Sequence, residues 1–158
     1  MITIKEYYEQ AKLSSAAYAG SLNKNMTKDE LITALLESGK FTEEMAEDFA
    51  NTYKVIDQYT DPYSGFSGTV FENTSNKTGS SGKIYMAMRG TQPTSGSDWS
   101  TNIADIGSDG VAIDQAIAMY NWYQRLKSPV GSVVTQYQYH KETPEGNPGV
   151  APINQDTC

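Results

Sequence analysis

The stretch of this sequence best suited to chemistry spans residues 83–105. It opens with five consecutive apolar residues, 84–88, which have the length and composition of a strand buried on both faces. Arg89-Gly90-Thr91 follow, and a polar loop then leads to Asp98-Trp99. Open α/β sheets place ligand-binding loops where a buried strand delivers a glycine-containing turn at its carboxyl end. The sequence therefore predicts a ligand-binding loop directly after 84–88.

The order of these residues is similar to that of a known family. A buried strand, Arg89-Gly90-Thr91, a polar loop and then Asp98-Trp99-x-x-Asn102 resembles the first half of the lipase class 3 family and related secreted bacterial lipases. The resemblance covers residues 54–139 well and the N-terminal helices only loosely. It implies an α/β-hydrolase fold, a mixed sheet flanked by helices, and the hydrolysis of carboxylic esters, above all of lipids.

The resemblance also implies roles for individual residues. Thr91 would be the oxyanion-hole residue, its backbone N–H donating to the substrate oxygen, and Gly90 would let the backbone approach the substrate closely. Trp99, which follows Asp98, would lie in or beside the lid that covers the acyl site. Arg89 would be structural, tying the strand end to neighbouring groups.

The catalytic serine that such an enzyme needs is not found in this sequence. Acyl transfer at a serine needs a nucleophile on a strained turn and a histidine base. No G-x-S-x-G pattern occurs, and residues 65–68 and 79–82, which come closest, have the wrong spacing. His140, the only histidine, follows no serine elbow and is expected at a strand end. The sequence therefore predicts a hydrolase portion with the oxyanion-hole strand and lid region; the alternative is a small non-catalytic binding or interaction module.

Four aspartates near the loop offer a second kind of chemistry. Asp98, Asp105, Asp109 and Asp114 carry the hard oxygen ligands that Ca²⁺ prefers. Their spacing matches no EF-hand loop, and a solvated acidic segment accounts for them more simply. We therefore expect no cofactor, with Asp105 and Asp109 as weak calcium candidates.

Composition limits the partners of this chain of 158 residues. Its net charge of −7 argues against a nucleic-acid partner, which needs a basic patch, and against strong binding to anionic membranes. No apolar run approaches membrane-spanning length, and the N-terminus has no signal-peptide pattern. The single cysteine, Cys158, rules out an internal disulfide framework. The expected partners are a lipid or ester substrate and the missing C-terminal half of the hydrolase domain. The resemblance implies a secreted or extracellular location, the other option being cytoplasmic.

The first third of the chain predicts three helices. Thr3 and Thr27 each have a glutamate three residues later, the spacing of a capping box, and Thr42 begins a third helix. The first helix is expected over 3–19 with Ile4, Tyr7 and Tyr8 on its buried face. We interpret these apolar stripes as core packing. The 11 tyrosines could instead suggest a sugar-binding platform, but they are spread over every element, which favours packing.

From residue 54 onward the sequence predicts three strands, then one helix and a further strand. Residues 54–59, 68–73 and 83–88 read as antiparallel strands, followed by a helix at 111–126 and a strand at 132–139. The strand–helix–strand order predicts parallel pairing, which would place 84–88 centrally, between 68–73 and 132–139, and leave 132–139 as an unpaired edge. Residues 1–140 would be the N-terminal part of an α/β-hydrolase domain that lacks its nucleophile-elbow strand. Residues 141–158 would be a Pro/Gly-rich tail, either disordered or the start of a missing segment.

Overall fold

The computed structural model describes residues 3–75, 81–89, 113–140 and 149–157. Over these residues the chain is a mixed α/β protein. The helices are α1 (Ile4–Ala16), α2 (Lys28–Glu37), α3 (Glu43–Thr52) and α4 (Ile113–Lys127). The strands are β1 (Tyr53–Thr60), β2 (Ser67–Asn73), β3 (Ile84–Arg89), β4 (Val133–His140) and β5 (Gly149–Thr157). The chain divides into two compact units, Met1–Thr60 with Ser67–Gly90 and Asp61–Phe66 with Thr91–Cys158.

Threonine caps begin the first three helices, as the sequence predicts. The Thr3 hydroxyl accepts a hydrogen bond from the Glu6 N–H, and the Glu6 carboxylate accepts one from the Thr3 N–H at 2.6 Å. Thr27 and Glu30 repeat this capping box at α2. Thr42 caps α3 by accepting from the Met45 N–H. Each cap satisfies N–H groups that have no partner inside the helix.

The sheet of the first unit has the strand order β1-β2-β3 and is antiparallel throughout. Tyr53 lies opposite Asn73 at one end of the β1–β2 pair, and Thr60 lies opposite Ser67 at the other. Arg89 pairs with Ser67 across β2 and β3. The predicted hairpin between 68–73 and 83–88 is therefore confirmed.

The apolar core of the first unit is centred on Phe49, whose side chain is fully buried. Its ring centroid lies 5.6 Å from that of Phe41, 5.3 Å from that of Phe71 and 4.8 Å from that of Tyr53. These contacts join α3 to the sheet. The predicted stripe of α3 is confirmed as a packing surface, and so is that of α2 except for Leu36, which is 38% exposed. The other buried members of the cluster are Leu13, Ala16, Ala17, Ala19, Leu22, Leu31, Leu35, Ala46, Val55 and Ala87.

The predicted buried face of α1 is wrong. Ile4 is 89% exposed, and Tyr7 and Tyr8 are both more than half exposed. The helix instead buries Lys12, Leu13 and Ala16. The reason is that Leu13 packs in the core, and at 3.6 residues per turn Ile4 lies about 180° around the helix from Leu13, so Ile4 faces away from the core.

The predicted central position of 84–88 is also wrong. Among the described strands β3 pairs only with β2, so it lies at an edge of the sheet. Ala87 is buried, whereas Ile84 is 59% exposed and Met88 is 48% exposed. Alternation explains this, because an antiparallel sheet with one packed face buries only every second side chain. The continuous apolar run therefore does not indicate burial on both faces here.

The second unit pairs β4 with β5 in a separate antiparallel sheet of two strands. The predicted parallel pairing of 132–139 with 84–88 is therefore wrong. Among the described strands β4 has one neighbour, as expected of an edge strand, but that neighbour is β5. For 141–158 the sequence predicts either a disordered tail or the start of a missing segment; of these residues the structure describes Gly149–Thr157, which form β5. The reason is that a neighbouring strand satisfies backbone groups whatever the local composition. The predicted division at residue 140 stays a prediction.

Asn121 attaches α4 to β4. Its amide donates to the Tyr137 carbonyl at 2.8 Å and accepts from the Tyr137 N–H at 2.9 Å. Tyr137 lies opposite Pro152, at the point where the β4–β5 register shifts. Proline has no N–H to donate to the ladder, so Asn121 supplies the hydrogen bonds that this position needs. Arg125 adds a hydrogen bond to the buried side chain of Gln136.

Candidate functional site

The residues on which the hydrolase prediction rests lie outside the described residues. They are Gly90, Thr91, Asp98, Trp99, Asp105 and Asp109. Arg89 is described: it is the last residue of β3 and is half-buried. His140 is the last residue of β4, so the prediction that it sits at a strand end is confirmed.

The described residues contain no group of three His, Cys, Asp or Glu side chains placed to hold a metal ion. Asp114, the one described member of the predicted acidic cluster, lies in the first turn of α4. The calcium prediction for Asp105 and Asp109 stays a prediction. Within the same described ranges, no helix is both long and apolar enough to span a membrane.

A cluster of ionisable groups lies where α1, α3 and β1 meet. The Lys12 side chain is only 4% exposed, and its Nζ donates to Asp48 Oδ2 at 2.8 Å. The same Nζ lies 3.2 Å from Glu9 Oε1 and 5.0 Å from the centre of the Tyr8 ring. The two carboxylates and the aromatic face offset the free-energy cost of removing the lysine charge from water.

Tyr53 extends this cluster into the sheet. Its hydroxyl donates to Glu9 Oε2 at 3.0 Å, although the residue is 3% exposed. Asn73, its partner across β1 and β2, also hydrogen-bonds the Tyr53 hydroxyl. The Tyr85 ring meets the Tyr53 ring edge-on, with centroids 5.8 Å apart. A chain of polar contacts thus runs from Asn73 through Tyr53, Glu9 and Lys12 to Asp48.

The environment of the cluster keeps its proton donors protonated. Burial alone would lower the pKa of Lys12, but the hydrogen bonds to Asp48 and Glu9 outweigh it and raise the pKa above its ordinary value. Burial, followed by the hydrogen bond and charge of Glu9, raises the pKa of Tyr53 well above its usual range. At neutral pH both groups therefore act as donors, and the carboxylates act as acceptors.

A cavity of about 660 Å³ opens beside this cluster. Small-molecule sites span roughly 300–1,000 Å³, so its size is that of a ligand pocket. Polar and aromatic groups from α1, α3 and the β1–β3 sheet meet in its wall. Its lining residues are Thr3, Lys5, Glu6, Glu9, Gln10, Leu13, Asp48, Thr52, Tyr53, Asn73, Ser75, Lys83 and Tyr85.

The sequence did not predict this site, because an apolar stripe such as that of α1 indicates core packing alone. One feature of the sequence does point to a buried lysine. Lys12 is spaced by four residues from Tyr8 and from Ala16, so the three lie on one face of the helix. A lysine on the buried side of a helix is rarely fully buried unless it is paired. The acidic partner Asp48 is 36 residues away in the sequence, so only the packing of α3 against α1 brings it close.

Comparison of this chain with family models, with curated proteins and with solved structures finds no match.

Proposed function

We propose that this chain is the N-terminal part of a carboxylic-ester hydrolase that acts on lipids, related to the lipase class 3 family. The observation that supports the proposal is the position of Arg89, the last residue of β3. Gly90 and Thr91 therefore follow a strand end directly, after an antiparallel hairpin with β2. A lipase-like oxyanion loop needs this arrangement, since its donors must project beyond the end of a strand.

In this proposal the chain contributes the electrophilic half of an acyl-transfer site. The Thr91 N–H donates to the oxygen that becomes negative in the tetrahedral intermediate, and Gly90 permits close approach. Trp99 and Asp98 belong to the lid over the acyl group. The enzyme is secreted or extracellular, and the rest of its domain is a necessary partner.

The nucleophile comes from polypeptide outside these 158 residues, because no G-x-S-x-G pattern lies within them. Serine, histidine and acid act as one unit, and the oxyanion hole alone gives only a small fraction of full activity. The isolated chain should therefore hydrolyse no short-chain aryl ester by a serine-dependent route.

A small non-catalytic binding module is the second candidate. Two observations favour it: β3 lies at an edge of the described sheet, and a polar cavity lies against that sheet. The complete reading frame separates the two candidates. A strand ending in G-x-S-x-G beyond Cys158, labelled by a fluorophosphonate probe, supports the hydrolase. If the complete product has no such serine and no esterase activity, the hydrolase proposal is wrong.

A pair of substitutions in the complete protein tests the role of Thr91. Thr91→Pro removes the backbone N–H, whereas Thr91→Ala keeps it. Loss of one oxyanion donor lowers kcat about 10²–10³-fold, so we expect that loss in Thr91→Pro only. Fluorophosphonate labelling of both variants shows whether the site has folded. Equal activity of the two variants, with labelling intact, would exclude the Thr91 N–H as a donor.

A further inference from the structure

We propose that the cavity beside Lys12 binds a small uncharged saccharide of one or two rings. Three observations carry this inference: the charge balance of the wall, hydrogen-bonding groups without a partner among the described residues, and an aromatic side chain in the wall. It does not depend on the hydrolase proposal, because every residue that it uses lies in the first unit.

The charges around the cavity balance. Lys5 and Lys83 line it together with Glu6, Glu9 and Asp48. The buried Lys12 pairs with two of those carboxylates, Glu9 and Asp48, so the cations and anions are equal in number. A site without excess charge does not select an anion or a cation by electrostatic attraction, and it suits a neutral polar molecule.

Two side chains in the wall have hydrogen-bonding capacity that the described residues do not use. Asp48 accepts from Lys12 through Oδ2, and its Oδ1 has no partner among the described residues. The exposed Gln10 amide forms no hydrogen bond within those residues either, and it offers both donors and an acceptor. Sugar hydroxyls each donate and accept, which matches a carboxylate and an amide in the same cavity wall.

The wall also has an apolar surface of the kind that sugar rings contact. The Tyr85 ring is half-buried in the cavity wall, and Leu13 lies among the lining residues. The edge-on contact with Tyr53 holds the Tyr85 ring in place. A sugar presents C–H groups on one face and hydroxyls at its rim, so one ring can contact Tyr85 while its hydroxyls reach Gln10 and Asp48.

Contacts within the protein hold one carboxylate of the wall in place. Glu9 receives one hydrogen bond from Tyr53 and an ion pair from Lys12, so its carboxylate is held from two sides. Holding acceptors in place before binding lowers the entropy lost when a ligand binds. The protonated Lys12 and Tyr53 thus position the carboxylates, and the ligand contacts are left to Gln10, Asp48 and Tyr85.

Titration calorimetry on the 158-residue chain tests the proposal with maltose, cellobiose and N,N′-diacetylchitobiose as probes. We expect at least one of them to bind with a Kd at or below about 1 mM. Glycylglycine and glucose 6-phosphate carry charges and should not bind. Failure of all three disaccharides at about 10 mM, or preferred binding of either charged probe, would overturn the proposal.

Three variants locate the binding. Gln10→Ala and Asp48→Asn should each weaken the disaccharide about three- to tenfold, the effect of one lost hydrogen bond. Glu37→Gln changes an exposed carboxylate outside the cavity and should leave the Kd unchanged. Asp48→Asn also alters the ion pair with Lys12, so the decisive variant is Gln10→Ala, which removes no hydrogen bond between described residues. Unchanged affinity in folded Gln10→Ala would refute the site.

Discussion

The two units are stabilised by different interactions. In the first, aromatic side chains from α3, β1 and β2 form a continuous apolar core around Phe49. In the second, the Phe66 and Trp122 rings lie 5.8 Å apart, and α4 contacts β4 through the side chains of Asn121 and Arg125. Apolar packing follows hydrophobic periodicity, whereas a side chain that bonds a strand's backbone leaves no periodic pattern. The packed faces of α2 and α3 could therefore be predicted from the sequence, whereas the hydrogen bonds from α4 to β4 could not.

The sharpest test of this comparison is Phe49→Ala. The side chain is fully buried and contacts three other rings, so its removal should lower the free energy of unfolding by about 3–5 kcal/mol. Urea unfolding followed by circular dichroism measures the change. Tyr63→Ala, at a residue that is 88% exposed, is the control and should be nearly neutral. Comparable losses in the two variants would show that the first unit has no core at Phe49.

Asn121→Ala tests the second unit. It leaves the N–H and C=O of Tyr137 without their side-chain partner, opposite a proline that cannot replace the donor. We expect a loss of about 2–3 kcal/mol and faster hydrogen exchange at the Tyr137 amide. Asn121→Asp keeps the acceptor and should protect that amide better than Asn121→Ala does. Unchanged exchange in Asn121→Ala would contradict a polar attachment of α4.

Lys12→Met tests a buried polar cluster of the first unit. The loss should be about 1–2 kcal/mol, less than for a fully buried pair, because the Asp48 side chain is 65% exposed. Urea unfolding measures the loss. Lys5→Met is the control, because Lys5 is exposed and has no ion pair among the described residues, so the difference between the two variants gives the contribution of the cluster. A gain in stability would mean that the desolvation of Lys12 outweighs its pairing.

The same cluster predicts a pH dependence. The pKa values of Lys12 and Tyr53 are both raised by folding, so the stability that they contribute is present below their ordinary values and is lost as the pH rises above about 10. Unfolding free energies measured between about pH 8 and pH 11 should therefore fall on the alkaline side. Tyr53→Phe should reduce this fall. If the free energy of unfolding falls as steeply with pH in Tyr53→Phe, Tyr53 does not contribute to the pH dependence.

The smallest expected effect concerns the caps. Thr27→Ala removes the hydroxyl that accepts from the Glu30 N–H and should cost about 1 kcal/mol, whereas Thr27→Ser keeps the acceptor and most of the stability. Thermal unfolding of the two variants compares them directly. Equal melting temperatures would show that the cap hydroxyl contributes nothing to α2.

Local rules made the helix starts and the hairpin predictable. Thr3, Thr27 and Thr42 satisfy N–H groups within one turn, so their role depends only on residues three positions away. The β2–β3 hairpin also follows from two neighbouring runs and the loop between them. The candidate cavity was not predictable in this way, because Lys12 and Asp48 are distant in the sequence and meet only when α3 packs against α1.

The sequence by itself determined where the first helices begin, which faces of α2 and α3 are buried, and that β2 and β3 pair as neighbours. Only the tertiary structure decided that β3 lies at an edge of its described sheet, that α1 turns Lys12 inward, and that β4 pairs with β5. The physical reason is the separation in the sequence between the residues that interact. Caps and hairpins are set by contacts within a few residues, whereas strand partners and buried ion pairs depend on the surface that distant segments present.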